Sequence, residues 1–110
     1  MSLPRILITA GEPAGIGPDV ILRALQSEIA AQVAVIADAN VMQKRADLLG
    51  IQADIMCLDD PRDVRPHSPN ELQILHAPCA AEVTPGVLNV KNAHFVMSTL
   101  EMAAQLTRDA

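Results

Sequence analysis

The stretch that decides the fold lies near the start of the chain and reads Thr9-Ala10-Gly11-Glu12-Pro13-Ala14-Gly15-Ile16-Gly17-Pro18-Asp19. The apolar segment Ile6-Leu7-Ile8-Thr9 leads into it, and such a composition is typical of a strand buried on both faces. Pro18 suits the first turn of a helix, where its missing N–H would have no partner. The stretch therefore predicts a strand, a glycine-rich turn and a helix in succession.

The apolar residues that follow this turn recur at the spacing of one helical face. That face consists of Val20, Ile21, Ala24, Leu25 and Ile29. Asp19 and Arg23 stand four residues apart, so we expect them to form an ion pair on the outer side of the helix. The segment is therefore predicted to be an amphipathic helix.

A second strand and a second helix repeat this order. Val33 to Ala37 is wholly apolar and is predicted to be a buried strand. Asn40 is a favoured N-cap residue, Gln43 follows it as in a capping box, and Gly50 supplies the C-terminal stop. The apolar face expected for this helix is formed by Val41, Leu48 and Leu49.

The middle of the chain holds shorter predicted elements. Short strands are expected within Ile51 to Leu58 and within Leu72 to His76, whereas the proline-rich segment Asp59 to Glu71 is predicted to be a surface loop. Val83 to Val87 is predicted to be a turn with Pro85-Gly86 at its tip. Strands that alternate with helices in this way indicate a parallel sheet and the α/β class.

The last segment, Lys91 to Arg108, is the clearest helix. Its polar residues fall on one narrow stripe, which consists of His94, Ser98, Glu101, Gln105 and Arg108. The rest of its surface is apolar and requires cover on several sides. We therefore expect residues 1–110 to be the N-terminal segment of a longer protein. The alternatives are a complete small domain that dimerises through this helix, and a small acidic domain that binds a partner protein through it.

Composition and charge exclude several classes of protein. The 110 residues carry a net charge of −5, half of them are apolar, and Phe95 is the single aromatic residue. Such a chain is not intrinsically disordered, and without a basic stripe or stacking aromatics we expect no nucleic-acid binding. The longest apolar run, Val33 to Ala37, is too short to span a membrane, and the start of the chain lacks a signal-peptide core. Cys57 and Cys79 form no C-x-x-C motif, so we expect reduced thiols in a cytoplasmic protein.

The glycine-rich turn is the best candidate for a ligand site. Glycines let the backbone approach another group closely, and the N–H groups of a following helix suit an anionic ligand. Glu12 lies directly after the first strand, at the edge where α/β proteins place their ligands. Glu12, Gly15 and Gly17 are therefore our candidates for a substrate cleft. The alternative is a tight turn that needs glycine for geometry alone, with Glu12 accepting hydrogen bonds from nearby N–H groups.

The spacing Gly11-x-x-x-Gly15-Ile16-Gly17 resembles the cofactor loop of short-chain dehydrogenases, in which the glycines face a dinucleotide pyrophosphate. Asp38 ends the second strand where a ribose-binding acid would lie, although a role at the strand end or the helix start is favoured. Pro13, Pro18 and the irregular loop 59–69 depart from that pattern. The chain also lacks any tyrosine for the Tyr-x-x-x-Lys motif of that family.

The full run Gly11 to Asp19, with both prolines, resembles the N-terminal signature of the 4-hydroxythreonine-4-phosphate dehydrogenase family. The resemblance continues along the chain at Ile36–Ala39, Arg45–Gly50, Pro85–Leu88 and Asn92–His94. It covers essentially all of this chain but only the first part of a usual family member.

This resemblance implies a three-layer α/β/α fold with a mainly parallel sheet, similar to isocitrate and isopropylmalate dehydrogenases, in a two-domain homodimer with its site between the domains. It implies oxidation of 4-phosphooxy-L-threonine by NAD or NADP and then loss of CO2, which gives 3-amino-2-oxopropyl phosphate for pyridoxine 5′-phosphate and pyridoxal phosphate (vitamin B6) biosynthesis. It also implies a divalent metal ion (zinc, magnesium or cobalt) that would polarise the reacting oxygen. A related dehydrogenase of a phosphorylated sugar acid is the remaining alternative.

No catalytic, cofactor-binding or metal-binding residue is assigned within this chain. The resemblance implies that the metal-binding histidines, the phosphate-binding residues and the main cofactor contacts of the family lie beyond residue 110. His67, His76 and His94 show no ligand spacing such as H-x-x-x-H, and we expect them to be surface or structural residues. These 110 residues are therefore predicted to be inactive alone.

Overall fold

Strands alternate with helices in residues 3–79 and 81–109, the part of the chain that the structure, a computed structural model, describes. The elements are, in chain order, β1 (Arg5–Thr9), α1 (Gly17–Ala24), β2 (Gln32–Ala37), α2 (Ala39–Leu49), β3 (Asp54–Cys57), β4 (Glu71–His76) and α3 (Ala93–Asp109). Short 3-10 turns at Pro61–Asp63 and Val90–Asn92 lie between them. This order confirms the predicted alternation.

The strands form one parallel sheet in the order β1-β2-β4-β3. Ile6 lies opposite Val33, Val35 opposite Ile74, and Ile55 opposite Leu72 in the three pairings. Because all three of these strand pairings are parallel, the carboxyl ends of the strands meet at one edge of the sheet. That edge is formed by Thr9, Ala37, Cys57 and His76, together with the residues that follow each of them.

Helices cover both faces of the sheet. One set of strand side chains, with Val33 and Val35 at its centre, packs in a cluster with Leu22 of α1 and Met42 of α2. The opposite set, with Ile36 at its centre, packs against the last turns of α3. The structure therefore confirms the α/β class and the three-layer α/β/α arrangement that the resemblance implied.

Helix α1 is shorter than the apolar pattern predicted. It ends at Ala24, so Ile29 lies outside it, and Val20 is 57% exposed instead of facing the core. The carbonyl of Leu25 accepts hydrogen bonds from the N–H of Asn70 and from the ring of His67, which close the helix end. The helix therefore ends at contacts with residues from a distant part of the chain, which the local sequence pattern does not reveal.

Helix α2 begins directly at the end of β2, and this changes its cap and its buried face. Asp38, not Asn40, is the N-cap residue. The buried face contains Met42, Arg45 and Ala46, whereas Leu48, which was expected there, is 69% exposed. Gly50 adopts a left-handed conformation with φ 68° and ends the helix as predicted.

The loop between β3 and β4 is only partly a surface loop. His67 is buried, and its Nε2 lies 3.0 Å from the carbonyl oxygens of both Leu25 and Ser27. Because both neighbours are acceptors, Nε2 carries the proton and donates. The prediction of a surface loop was therefore wrong for His67, which seals the end of α1, whereas Arg65, Pro66, Ser68 and Pro69 around it are exposed.

Helix α3 confirms the predicted division into a polar stripe and a broad apolar surface. The stripe residues named above are exposed, while Phe95 is buried and Leu106 packs against the sheet. Met97 and Leu100 on the far side remain about half exposed, at 55% and 47%. No helix in the part of the chain that the structure describes is long and apolar enough to cross a membrane.

Candidate functional site

The loop between β1 and α1 lies at the carboxyl edge of the sheet, and close backbone contacts determine its path. A Cβ added at Gly17 would lie 1.9 Å from the carbonyl oxygen of Ala10, a distance that no side chain could occupy. Gly11 adopts φ 70°, which other residues rarely adopt. A Cβ at Gly15 would lie 3.3 Å from the carbonyl oxygen of Glu12, which is tight but not impossible. Gly17 is therefore required by sterics alone.

Glu12 is part of the internal hydrogen bonding of this loop. Its Oε1 accepts a hydrogen bond of 3.2 Å from the N–H of Ala14, and its carbonyl oxygen accepts one of 2.9 Å from the N–H of Gly15. The carbonyl oxygen of Ala14 in turn accepts a hydrogen bond of 2.9 Å from the N–H of Gly86, which lies in the predicted turn. The structural role that the sequence left open for Glu12 is therefore present.

Arg45 is a buried charged residue next to this loop that the sequence interpretation did not single out. It projects from α2 toward the glycine-rich loop and is only 4% exposed. Its guanidinium donates hydrogen bonds of 2.9 Å to the carbonyl oxygens of Pro13 and Gly15, and it forms an ion pair of 2.5 Å with Asp19. Asp19 therefore pairs with Arg45 and not, as predicted, with Arg23.

A signal for Arg45 was present in the sequence. It stands four residues after Val41 and three after Met42, on the face of α2 that is otherwise apolar. A charged residue within an apolar face indicates a buried charge, and a buried charge requires partners. Those partners are backbone carbonyls about 30 residues away along the chain, and no side-chain pattern encodes them.

Asp38 lies at the carboxyl end of β2 and joins two structural elements. Its Oδ1 accepts hydrogen bonds from the N–H groups of Asn40 and Val41 at the start of α2. Its Oδ2 accepts a hydrogen bond of 2.8 Å from the N–H of Cys79, in the segment after β4. This confirms the helix-start role predicted for Asp38.

The pKa of the Cys79 thiol reflects the negative charges near the carboxyl edge of the sheet. Burial, the charge of Asp38, its hydrogen bond with Asp38 and the charge of Glu12 raise the pKa of Cys79 to about 11. Both carboxylates therefore disfavour the thiolate, and Asp38 also accepts a hydrogen bond from the N–H of the same residue. With so high a pKa the thiol stays protonated near neutral pH and is not an activated nucleophile. Cys57 and Cys79 are both free, as expected.

The histidines serve different elements and do not converge. The Nδ1 of His76 accepts a hydrogen bond of 3.0 Å from the N–H of Ala39 at the start of α2, His67 seals α1, and His94 lies exposed on α3. Within residues 3–79 and 81–109, no group of three or more His, Cys, Asp or Glu side chains is arranged to hold a metal ion. The described residues therefore do not fit the divalent metal that the family resemblance implied.

The glycine-rich loop does not fit a dinucleotide pyrophosphate either. Pro13 and Pro18 have no N–H, and the N–H groups of Ala14 and Gly15 already donate within the loop. The carboxylate of Asp19 lies in the first turn of α1, where it disfavours a second anion. Since Asp38 also uses both of its oxygens, the geometry argues against the short-chain dehydrogenase alternative.

A groove lies beside this loop, between α2 and the segment 79–85. Its volume is about 550 Å³, and both acidic and basic side chains line it. The charged and polar residues that line it are Asp38, Asn40, Lys44, Arg45 and Glu82. None of the cleft candidates Glu12, Gly15 and Gly17 lines this groove, but Arg45 lines it and also donates to the carbonyl oxygen of Gly15.

Comparison with known proteins gives a consistent result. The chain is 41% identical over 105 residues to a 4-hydroxythreonine-4-phosphate dehydrogenase from Vibrio cholerae, which covers 96% of this chain and 32% of that protein. It is 38% identical over 102 residues to the protein of the same name from Citrobacter koseri, covering 93% and 31%. The chain thus spans about a third of the length of the curated relatives it matches. No family model matches it.

Solved structures agree with this result at the level of the fold. A 4-hydroxythreonine-4-phosphate dehydrogenase from Burkholderia phymatum superposes with a TM-score of 0.88 at 21% identity, covering 99% of this chain and 34% of that one. The protein of the same name from Klebsiella pneumoniae superposes with a TM-score of 0.86 at 22% identity, covering 97% and 34%. At such low identities these superpositions establish the fold alone.

Proposed function

The chain is a relative of the 4-hydroxythreonine-4-phosphate dehydrogenases along almost its whole length, and from this premise we propose that residues 1–110 form the N-terminal segment of such an enzyme. The observation that carries the proposal is the identity of 41% over 96% of the chain. The glycine-rich run that carries the sequence resemblance has steric requirements of its own, because Gly11 adopts φ 70° and a Cβ at Gly17 would lie 1.9 Å from the carbonyl oxygen of Ala10.

The reaction proposed for the whole enzyme has two stages. The secondary alcohol of 4-phosphooxy-L-threonine is oxidised to a ketone, with NAD or NADP as the acceptor of the hydride and with release of the hydroxyl proton. The β-keto acid then loses CO2, and a proton takes its place on the carbon, which gives 3-amino-2-oxopropyl phosphate. This product leads to pyridoxine 5′-phosphate and pyridoxal phosphate.

The described residues supply a scaffold and one edge of the cleft. Because they fit neither a dinucleotide nor a metal ion, we assign the nicotinamide cofactor and a divalent metal (zinc, magnesium or cobalt) to the part of the relatives that this chain does not span. We place Glu12, Gly15 and Gly17 at the substrate cleft, where the carboxylate of Glu12 orients a cationic group such as the ammonium of the substrate. We propose a cytoplasmic homodimer, and we propose that these 110 residues are inactive alone.

The proposal is tested by joining this chain to the part of the Vibrio cholerae relative that it does not match. We expect the joined protein to reduce NAD or NADP when 4-phosphooxy-L-threonine is added. The chain alone and the remaining part alone serve as controls and should be inactive. A threonate phosphate, which lacks the ammonium group, tests the sugar-acid alternative in the same assay.

A clear outcome would contradict the proposal. The intact Vibrio cholerae protein must be active under the same conditions, and circular dichroism and light scattering must show that the joined protein is folded and monodisperse. If the joined protein is then inactive toward 4-phosphooxy-L-threonine, or prefers the threonate phosphate, the proposed function is wrong.

A further inference from the structure

We propose that Arg45 is a positioning residue for this reaction: from the buried face of α2 it clamps the segment Pro13 to Gly15 and thereby sets where the carboxylate of Glu12 lies at the carboxyl edge of the sheet. This inference rests on the proposed function for its consequence, but its geometry stands on the contacts of Arg45 alone.

The clamp is formed by a single planar group. One terminal nitrogen of Arg45 donates to the carbonyl oxygen of Gly15 and to Asp19, and the other donates to the carbonyl oxygen of Pro13. A guanidinium presents several donors in a fixed plane, whereas a lysine ammonium is one compact charge on a flexible stem. Contacts from two nitrogens held in one plane are therefore specific to arginine.

The clamped segment is also the one that holds Glu12. The N–H of Ala14 donates to the Oε1 of Glu12, and the N–H of Gly15 donates to its carbonyl oxygen. Ala14 lies between the two residues whose carbonyls Arg45 holds, and Gly15 is one of those residues. A shift of this segment therefore moves the side chain and the backbone of Glu12 together.

The position of Arg45 among apolar residues strengthens the inference. Its neighbours on the buried face of α2, Met42 and Ala46, pack in the core and are fully buried. An apolar side chain would fill such a place without the desolvation of a charge, and buried ion pairs are often replaced by apolar residues without loss of stability. Packing alone does not require an arginine here, whereas the path of the loop does.

The first test uses the active joined protein described above with Arg45→Met and Arg45→Lys. We expect kcat/KM for 4-phosphooxy-L-threonine to fall by about tenfold or more in Arg45→Met. Arg45→Lys should keep one of the contacts, so we expect its kcat/KM to lie between those of the unchanged joined protein and of Arg45→Met. The matched control is Met42→Ala, which shortens a buried side chain of the same helix that makes no hydrogen bond to the loop, and it should leave kcat/KM within about twofold.

The second test needs no activity and uses amide hydrogen exchange in the 110-residue chain. We expect the N–H groups of Ala14 and Gly15 in Arg45→Met to exchange about tenfold faster relative to the core amide of Leu75. Met42→Ala should accelerate all three amides alike. This test separates the two proposals, because it gives a result even if the unmodified joined protein is inactive.

Two results would overturn the inference. In one, the relative exchange of Ala14 and Gly15 is the same in Arg45→Met as in the unchanged chain, so that no clamp exists. In the other, exchange accelerates as expected but kcat/KM stays equal to that of Met42→Ala, so that the clamp has no bearing on the reaction.

Discussion

Gly15 and Gly17 stand two positions apart in one loop, yet their surroundings predict different responses to an added methyl group. At Gly17 the methyl group would meet a backbone carbonyl at 1.9 Å, which cannot move without displacing β1. We expect Gly17→Ala to lower the free energy of unfolding by about 3 kcal/mol. Gly15→Ala, with its contact at 3.3 Å, should stay within about 1 kcal/mol of the unchanged chain.

Urea unfolding of the two variants side by side measures this difference, with equal slopes as the sign that both unfold from the same compact state. Equal free energies of unfolding for Gly17→Ala and Gly15→Ala would contradict the described path of the loop.

Cys79 provides a second prediction at the scale of single residues. The charge of Asp38 and its hydrogen bond disfavour the thiolate, so we expect Asp38→Asn to lower the pKa of Cys79 from about 11 toward the ordinary 9.0. The pH dependence of alkylation measures the pKa, in a Cys57→Ser background that removes the other thiol. Asp59→Asn, which changes an exposed acid after β3, is the control and should have no effect.

The raised pKa of Cys79 also has a consequence for stability, and its sign follows from linkage. Between pH 9.0 and about 11 the thiol of the unfolded chain is ionised while that of the folded chain still holds its proton. Unfolding therefore releases a proton in this range, and the folded chain loses stability as the pH rises through it. Asp38→Asn should narrow that range, and Cys79→Ser should abolish this contribution.

At the residue scale, the sequence allowed the steric roles to be predicted better than the electrostatic ones. The need for glycine at position 17 and the helix-start role of Asp38 both follow from local backbone geometry, which neighbouring residues reveal. The contacts of Arg45 join positions that are about 30 residues apart and end on backbone carbonyls. Every residue carries such a carbonyl, so no pattern of side chains could identify the acceptors.

At the scale of elements, α2 shows how a strand and a helix that follow each other directly share one residue. Asn40 and Asp38 are both good N-cap residues, and the capping-box spacing favoured Asn40. Because β2 continues to Ala37, the helix begins at Ala39 and Asp38 takes the cap. Gln43 instead donates to Asp47 one turn further along. The end of β2 therefore determined which of the two residues caps the helix.

This assignment of the cap predicts different effects for the two candidates. Asp38→Ala removes the acceptor of two helix N–H groups and of the N–H of Cys79, and we expect a loss of about 2 kcal/mol. Asn40→Ala should change stability by less than about 0.5 kcal/mol, because the exposed Asn40 side chain is not the cap. Thermal unfolding of both variants measures the contrast, and a larger loss for Asn40→Ala would refute the assignment.

At the scale of the whole molecule, the alternation of apolar segments and helical faces predicted the α/β class and the strands themselves. The order of the strands was beyond such reasoning, because β4 enters between β2 and β3 and the register depends on contacts across the sheet. The broad apolar surface of α3 was predicted correctly, since one side of that helix packs on the sheet and Met97 and Leu100 lie on its exposed side. The order and register of the strands could not be predicted, because long-range contacts and not local propensity determine them.

The relation between fold and function also belongs to this scale. A parallel sheet gathers the ends of its strands at one edge, and ligands of α/β proteins bind beyond such edges. Glu12, Asp38 and Cys79 come from three different strand ends and interact there. We therefore propose that this edge forms one side of the substrate cleft, and that the groups that carry the chemistry belong to the part of the relatives that this chain does not span.

The most direct test of the account is the kcat/KM of the joined protein for 4-phosphooxy-L-threonine with Glu12→Gln, compared with Glu28→Gln, an exposed acid after α1. The amide retains an acceptor for the N–H of Ala14 but loses the charge. If this edge faces the substrate, Glu12→Gln lowers kcat/KM by about tenfold or more while Glu28→Gln leaves it unchanged. Equal values for both variants would contradict the placement of the substrate cleft at this edge.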